Sequence, residues 1–117
     1  MPYVAQNKRP VLDDSIKQLA EAIACSVKSQ DGELAVAGLL NYSITRLLMQ
    51  VINLRFNKVS YGAIALVTGV LINVKDEMYR RVAGPYEDLQ AAKNGDVLEY
   101  AEHEERLKVS FPLNKAT

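Results

Sequence analysis

A chain of 117 residues, 49% apolar and 24% charged, is long enough for one domain with one core and too apolar for disorder. Lys+Arg and Asp+Glu balance at 14 each, so no net field is available to hold nucleic acid or an anionic membrane, and both readings are set aside. The single cysteine, Cys25, excludes an intrachain disulfide and fits a reducing, cytoplasmic setting.

Charge is nonetheless uneven. Residues 33–84 hold six basic side chains against three acidic ones, and residues 85–117 hold four against seven. An acidic tail folding over a basic middle, within or between chains, is the simplest expectation.

In chain order, residues 1–12 read as an arm kept extended by Pro2 and Pro10. Met1 to Arg9 carry no apolar run of the signal-peptide kind. Asp13 or Asp14 offers an N-cap for a first helix over about 13–29, with Ile16, Leu19, Ala20, Ile23 and Val27 as its apolar line. Cys25 lies off that line and reads as a structural thiol. Ser29-Gln30-Asp31-Gly32 is a turn by composition.

A second helix is predicted over about 33–55. Ala37, Leu40, Ile44, Leu47, Leu48 and Val51 form its core line, and Arg46 is its only charge between Leu34 and Leu54. A helix this apolar is expected to be buried on more than one side. Asn57 suits the turn that follows, and Ser60 suits the next N-cap.

The third helix, about 60–83, carries Ile64, Val67, Leu71, Val74, Met78 and Val82 on one face, and Ala65, Thr68, Ile72 and Tyr79 on a second. Small residues at Gly62, Ala65, Gly69 and Asn73 would let another backbone approach. The charge-free stretch 59–74 is short for a membrane span of about 20 residues. It reads as a core helix. Two central helices so apolar exceed what one short chain comfortably hides: either the first helix and the tail cover them or another subunit does, and a homo-oligomer is the favoured expectation.

The third helix is then expected to stop at Ala83, with Gly84 at C′ and Pro85 forbidding continuation. A short helix over 85–93 follows, closed by Asn94-Gly95. Val97 to Tyr100 could be extended. Ala101 to Lys108 is a charged helical segment, and residues 109–117 form a tail. The fold class is therefore all-α: three main helices, a short fourth, and a charged, partly helical C-terminal tail.

Chemistry is sparse. His103 lies in a solvated charged run, and no His or Cys spacing suits a metal. No phosphate loop or dinucleotide fingerprint occurs. Neither catalysis nor a cofactor is expected. What remains is Tyr79, Arg80, Arg81, Tyr86, Glu87 and Asp88 around the Gly-Pro corner. Paired guanidiniums beside two tyrosines can hold a planar anion such as a nucleotide, and a helix restarting at Pro85 would add free backbone amides. The plainer reading is that the arginines pair with Glu87 and Asp88, or with the acidic tail, and lock the corner.

Several blocks carry a resemblance. They are Met1-Pro2-Tyr3, the stretch 12–21, Leu40-Asn41-Tyr42-Ser43-Ile44-Thr45-Arg46-Leu47-Leu48, Gly69-Val70-Leu71, the stretch 77–88 and Lys93-Asn94-Gly95-Asp96-Val97. Across residues 1–97 the chain resembles a small uncharacterised helical family found in bacteria, archaea and phages. The family has Ala where this chain has Gly84. The resemblance implies a helical fold, a single domain over residues 1–97 with 98–117 as a C-terminal extension, a phage link, and no assigned activity. Two functions are carried forward: a non-catalytic homo-oligomer binding a small anion, in a phage setting a nucleotide-derived signal, and a protein-interaction or scaffold module without a small ligand.

Overall fold

The computed structural model describes residues 2–111 and is all-α: among the described residues there is no strand. The helices are α1 (Pro10–Ser26), α2 (Glu33–Phe56), α3 (Tyr61–Met78), α4 (Gly84–Asn94) and α5 (Leu98–Ser110). A π-helical turn, Tyr79–Ala83, joins α3 to α4, and short 3-10 turns lie at Gln6–Lys8 and Ser29–Asp31. The chain divides into two compact units, residues 1–74 and 75–117.

In the first unit, helix α1 begins at Pro10, earlier than the acids at 13 and 14 suggest. Proline suits the first helical position because its missing N–H is one no helix start can use. The arm is not extended. It makes a 3-10 turn ahead of α1, and the Arg9 Nε donates to the Val4 carbonyl at 2.8 Å. Neither Asp13 nor Asp14 caps the helix; Arg9 precedes it without a side-chain cap.

The turns between helices follow the sequence closely. Lys28 N–H donates to Asp31 Oδ2 at 2.9 Å, and Gly32 takes φ +76, which an L side chain resists. Asn57 closes α2 in the left-handed region at φ +60. Ser60 caps α3, its Oγ accepting from the Ala63 N–H at 3.2 Å, an arrangement that contributes about 1 kcal/mol.

Packing departs from the predicted lines. Only Ile52 and Ala63 are fully buried among the described residues, and they bracket the turn between α2 and α3. On α1 Ile23 is half-buried, as is Val27 just past its end, while Ile16, Leu19 and Ala20 remain exposed. On α2 the half-buried positions are Ala35, Leu39, Ser43 and Leu48, whereas Leu40, Ile44, Leu47 and Val51 are exposed. On α3, Val67 is half-buried and Ile64 and Leu71 are exposed. A Cβ built on Gly69 would meet nothing within 4 Å, so no backbone approaches the small-residue stripe there. Helix α2, rather than the stretch 59–74, is long and apolar enough to cross a membrane.

In the second unit, Gly95 ends α4 at φ +90, as the Asn94-Gly95 pair predicts. Residues 98–100 are helical rather than extended: α5 starts at Leu98 and runs to Ser110. Lys108 on this helix reaches both Glu104 and Glu105 at 3.4 Å. Part of the predicted tail, residues 112–117, lies outside the described residues.

Candidate functional site

The Gly-Pro corner is not a stop and restart. Gly84 has right-handed helical angles, φ −56 and ψ −57, and its N–H donates to the carbonyl of Tyr79, five residues back. The cause is Pro85. It has no N–H to offer the carbonyl of Arg81, and its ring crowds that carbonyl. Widening one turn from four residues to five relieves the clash without breaking the helix. Gly84 accommodates this closely: a Cβ there would lie 3.4 Å from the Tyr79 oxygen. Because Ala83 also keeps helical angles ahead of α4, the first turn of α4 is not an open N-terminus. The free amides expected for an anion are therefore not presented at Pro85.

The two arginines have different surroundings. Arg80 turns back one helical turn to Glu77, its Nε donating to Oε2 at 3.1 Å and its Nη2 to Oε1. This forked pair sits over a mostly covered carboxylate, with the guanidinium itself in solvent. Arg81 makes no ion pair among the described residues and stays exposed. Lys75, in the last turn of α3, lies 5.9 Å from the centre of the Tyr79 ring. Around the π turn Lys75 and Tyr79 thus lie together, Arg80 is tied to Glu77, and Arg81 stands exposed two residues on from Tyr79.

Glu87 and Asp88 do not pair with the arginines. They line a separate groove of about 430 Å³ at the α4–α5 corner, together with Asn94, Asp96 and Tyr100. Tyr86 is exposed. Of the six residues singled out, the structure thus keeps Tyr79, Arg80 and Arg81 on one short turn and assigns Glu87 and Asp88 to acidic surroundings of their own. The expected lock between the two groups is absent.

A further cation was noted in the sequence without being taken as a site. Arg46 on α2 donates from Nη1 to the Tyr42 hydroxyl at 3.2 Å and stands 5.8 Å above its ring. The signal was the Tyr-to-Arg spacing of four, which places both on one face. They border a groove of about 270 Å³ with Leu19, Ser43 and Gln50. An apolar cleft of about 540 Å³ lies between α1 and α2, walled by Ile23, Ala24, Val27, Val36 and Leu40. Cys25 is exposed and unpaired. No group of three His, Cys, Asp or Glu among the described residues is placed to hold a metal.

No curated protein and no solved structure matches the chain. A family model described as a domain of unknown function (DUF6899) matches residues 1–97, and the chain belongs to that family.

Proposed function

We propose that the protein is a non-catalytic, cytoplasmic homo-oligomer that binds a small, planar anion at the π turn, with Arg81 and Lys75 supplying charge and Tyr79 an aromatic face. The observation that carries this reading is the π turn itself. It centres on the two arginines, and five-residue turns within helices are frequent at functional sites. Arg81 is left without an anion of its own, and Arg80 is held by Glu77, so the cluster offers one committed and one open guanidinium. A nucleotide matches this pairing of negative charge with a stacking surface. In a phage setting, which rests on the resemblance alone, sequestering a nucleotide-derived signal is the role such binding would serve.

The interaction or scaffold reading is kept because α2 and α3 leave their apolar faces uncovered. Calorimetry with linear and cyclic nucleotides on the intact protein and on Arg81→Ala separates the two. Saturable binding that Arg81→Ala abolishes with helicity unchanged supports the anion site. Absence of any nucleotide binding, with a protein recovered on the immobilised chain, overturns it in favour of the scaffold.

A further inference from the structure

Exposed apolar residues lie nearly all round α2, Leu34, Val36, Tyr42 and Met49 among them, and one set of them is regular. Ala37, Leu40, Ile44, Leu47, Val51 and Leu54 follow one another at intervals of three, four, three, four and three, the spacing of a coiled-coil seam. All six are apolar. From Leu40 onward they are 44%, 42%, 55%, 45% and 86% exposed. On one flank of this seam lie the half-buried Ser43 and Leu39, and on the other Leu48 and the buried Ile52, about 70° and about 110° from its centre at about 100° per residue, while the half-buried Ala35 lies about 150° away. The chain packs both flanks of α2 and leaves the stripe between them exposed, with Leu40 also walling the cleft with α1.

We propose that this seam is covered by the same seam of a second copy, the two α2 helices crossing antiparallel about an axis between Ile44 and Leu47. The proposal rests on the homo-oligomeric half of the reading above and names its surface. Self-complementarity of the seam in side-chain size and charge supports a second copy as the occupant.

Orientation follows from what meets what. Antiparallel pairing sets Ala37 of one copy against Leu54 of the other, Leu40 against Val51, and Ile44 against Leu47. The smallest side chain then faces the end residue with most surface left to cover. Charge agrees. Glu33 at the start of α2 comes beside Lys58 just past the other copy's end, with Arg55 nearby. Parallel pairing would place Glu33 against Glu33 and Arg55 against Arg55, and align the two helix dipoles unfavourably. An isologous contact of this kind closes on itself, as a two-fold interface requires.

The test is cross-linking in a Cys25→Ser background, which removes the one native thiol. Leu40→Cys and Val51→Cys proteins are prepared singly, mixed after reversible unfolding so that subunits exchange, and oxidised. The expected result is a disulfide-linked pair from the mixture, with at least fivefold less from either protein alone. Linkage of Leu40→Cys to itself overturns the antiparallel arrangement. An oligomer by light scattering that gives no link in any combination overturns the seam while leaving oligomerisation standing. A monomer of 13.0 kDa in buffer, or a chain that partitions onto lipid vesicles through α2, overturns the second copy as occupant and the homo-oligomeric reading with it.

Discussion

Ile52 is the most informative single position for stability. It is 1% exposed and sits beside the turn into α3, where Ala63 at 3% is the other fully buried residue. Replacing it with Ala removes three carbons from a site that nothing else fills. Transfer alone contributes about 0.8 kcal/mol per carbon, and the residual cavity brings the expected loss to about 2–5 kcal/mol, against about 0.5–1.5 for Ile52→Val. For a chain of this size that is a fall in Tm of about 10–20 °C for the Ala variant. The assay is thermal unfolding followed by circular dichroism at one fixed protomer concentration, because association adds to apparent stability. Leu34, 88% exposed on the same helix, is the control: Leu34→Ala should stay within about 0.5 kcal/mol. If Ile52→Ala costs no more than Ile52→Val, the α2–α3 corner is not a packed core and the reasoning from burial fails.

Other expectations are local. Ser60→Ala loses the cap on Ala63 N–H and should lower stability by about 0.5–2 kcal/mol, while Ser60→Asp should retain most of it; chemical denaturation reads both. Arg80→Ala removes the forked contact to Glu77 and should cost a few tenths of a kcal/mol, about the value of an exposed one-turn pair. Arg81→Ala breaks no ion pair and should leave the melting curve unchanged, so a larger loss for Arg81 would refute the assignment. Lys108 has its pKa raised above 10.5 by hydrogen bonds and charge from Glu104 and then Glu105. A folded value above the unfolded one means the contribution is complete below pH 10.5 and is lost as pH rises through the folded value; an NMR titration of the ammonium should show the rise, and Glu104→Gln should remove most of it.

Much of the fold was legible because helix ends have local causes. Ser60, Asn57, Gly32 and Gly95 each act through their own backbone or side chain, and each stands where its residue type predicts. The family too was legible as an uncharacterised one, from blocks within residues 1–97. The packed faces were not. Helix α2 is apolar nearly all round, so periodicity could not say that Leu39 and Ile52 would turn inward and Leu40 and Val51 outward. The corner misled for a different reason. Gly-Pro normally ends a helix, but a five-residue turn satisfies Pro85 while the chain continues, and local rules carry no term for it. Its six candidate residues were adjacent in sequence, yet Glu87 and Asp88 belong with Asp96 at the α4–α5 corner and Arg80 with Glu77.

The seam on α2 gives those misplaced lines a physical meaning. Leu40, Ile44, Leu47 and Val51 were read as core from their spacing, and they lie exposed in the single chain. A regular apolar stripe of this length is hard to reconcile with permanent contact with water, since each such side chain is stabilised by about 1.5–3 kcal/mol on full burial. Half of that for the five exposed seam residues from Leu40 to Leu54 is several kcal/mol per protomer, a sizeable share of the roughly 5–15 kcal/mol that keeps a domain folded. Stability and association are then one equilibrium. On the α2 pairing proposed above, Tm rises with protomer concentration, and Ile44→Asp lowers Tm and subunit number together. A Tm independent of concentration over a hundredfold range, in a chain that stays fully helical, would show that these lines are covered within one chain.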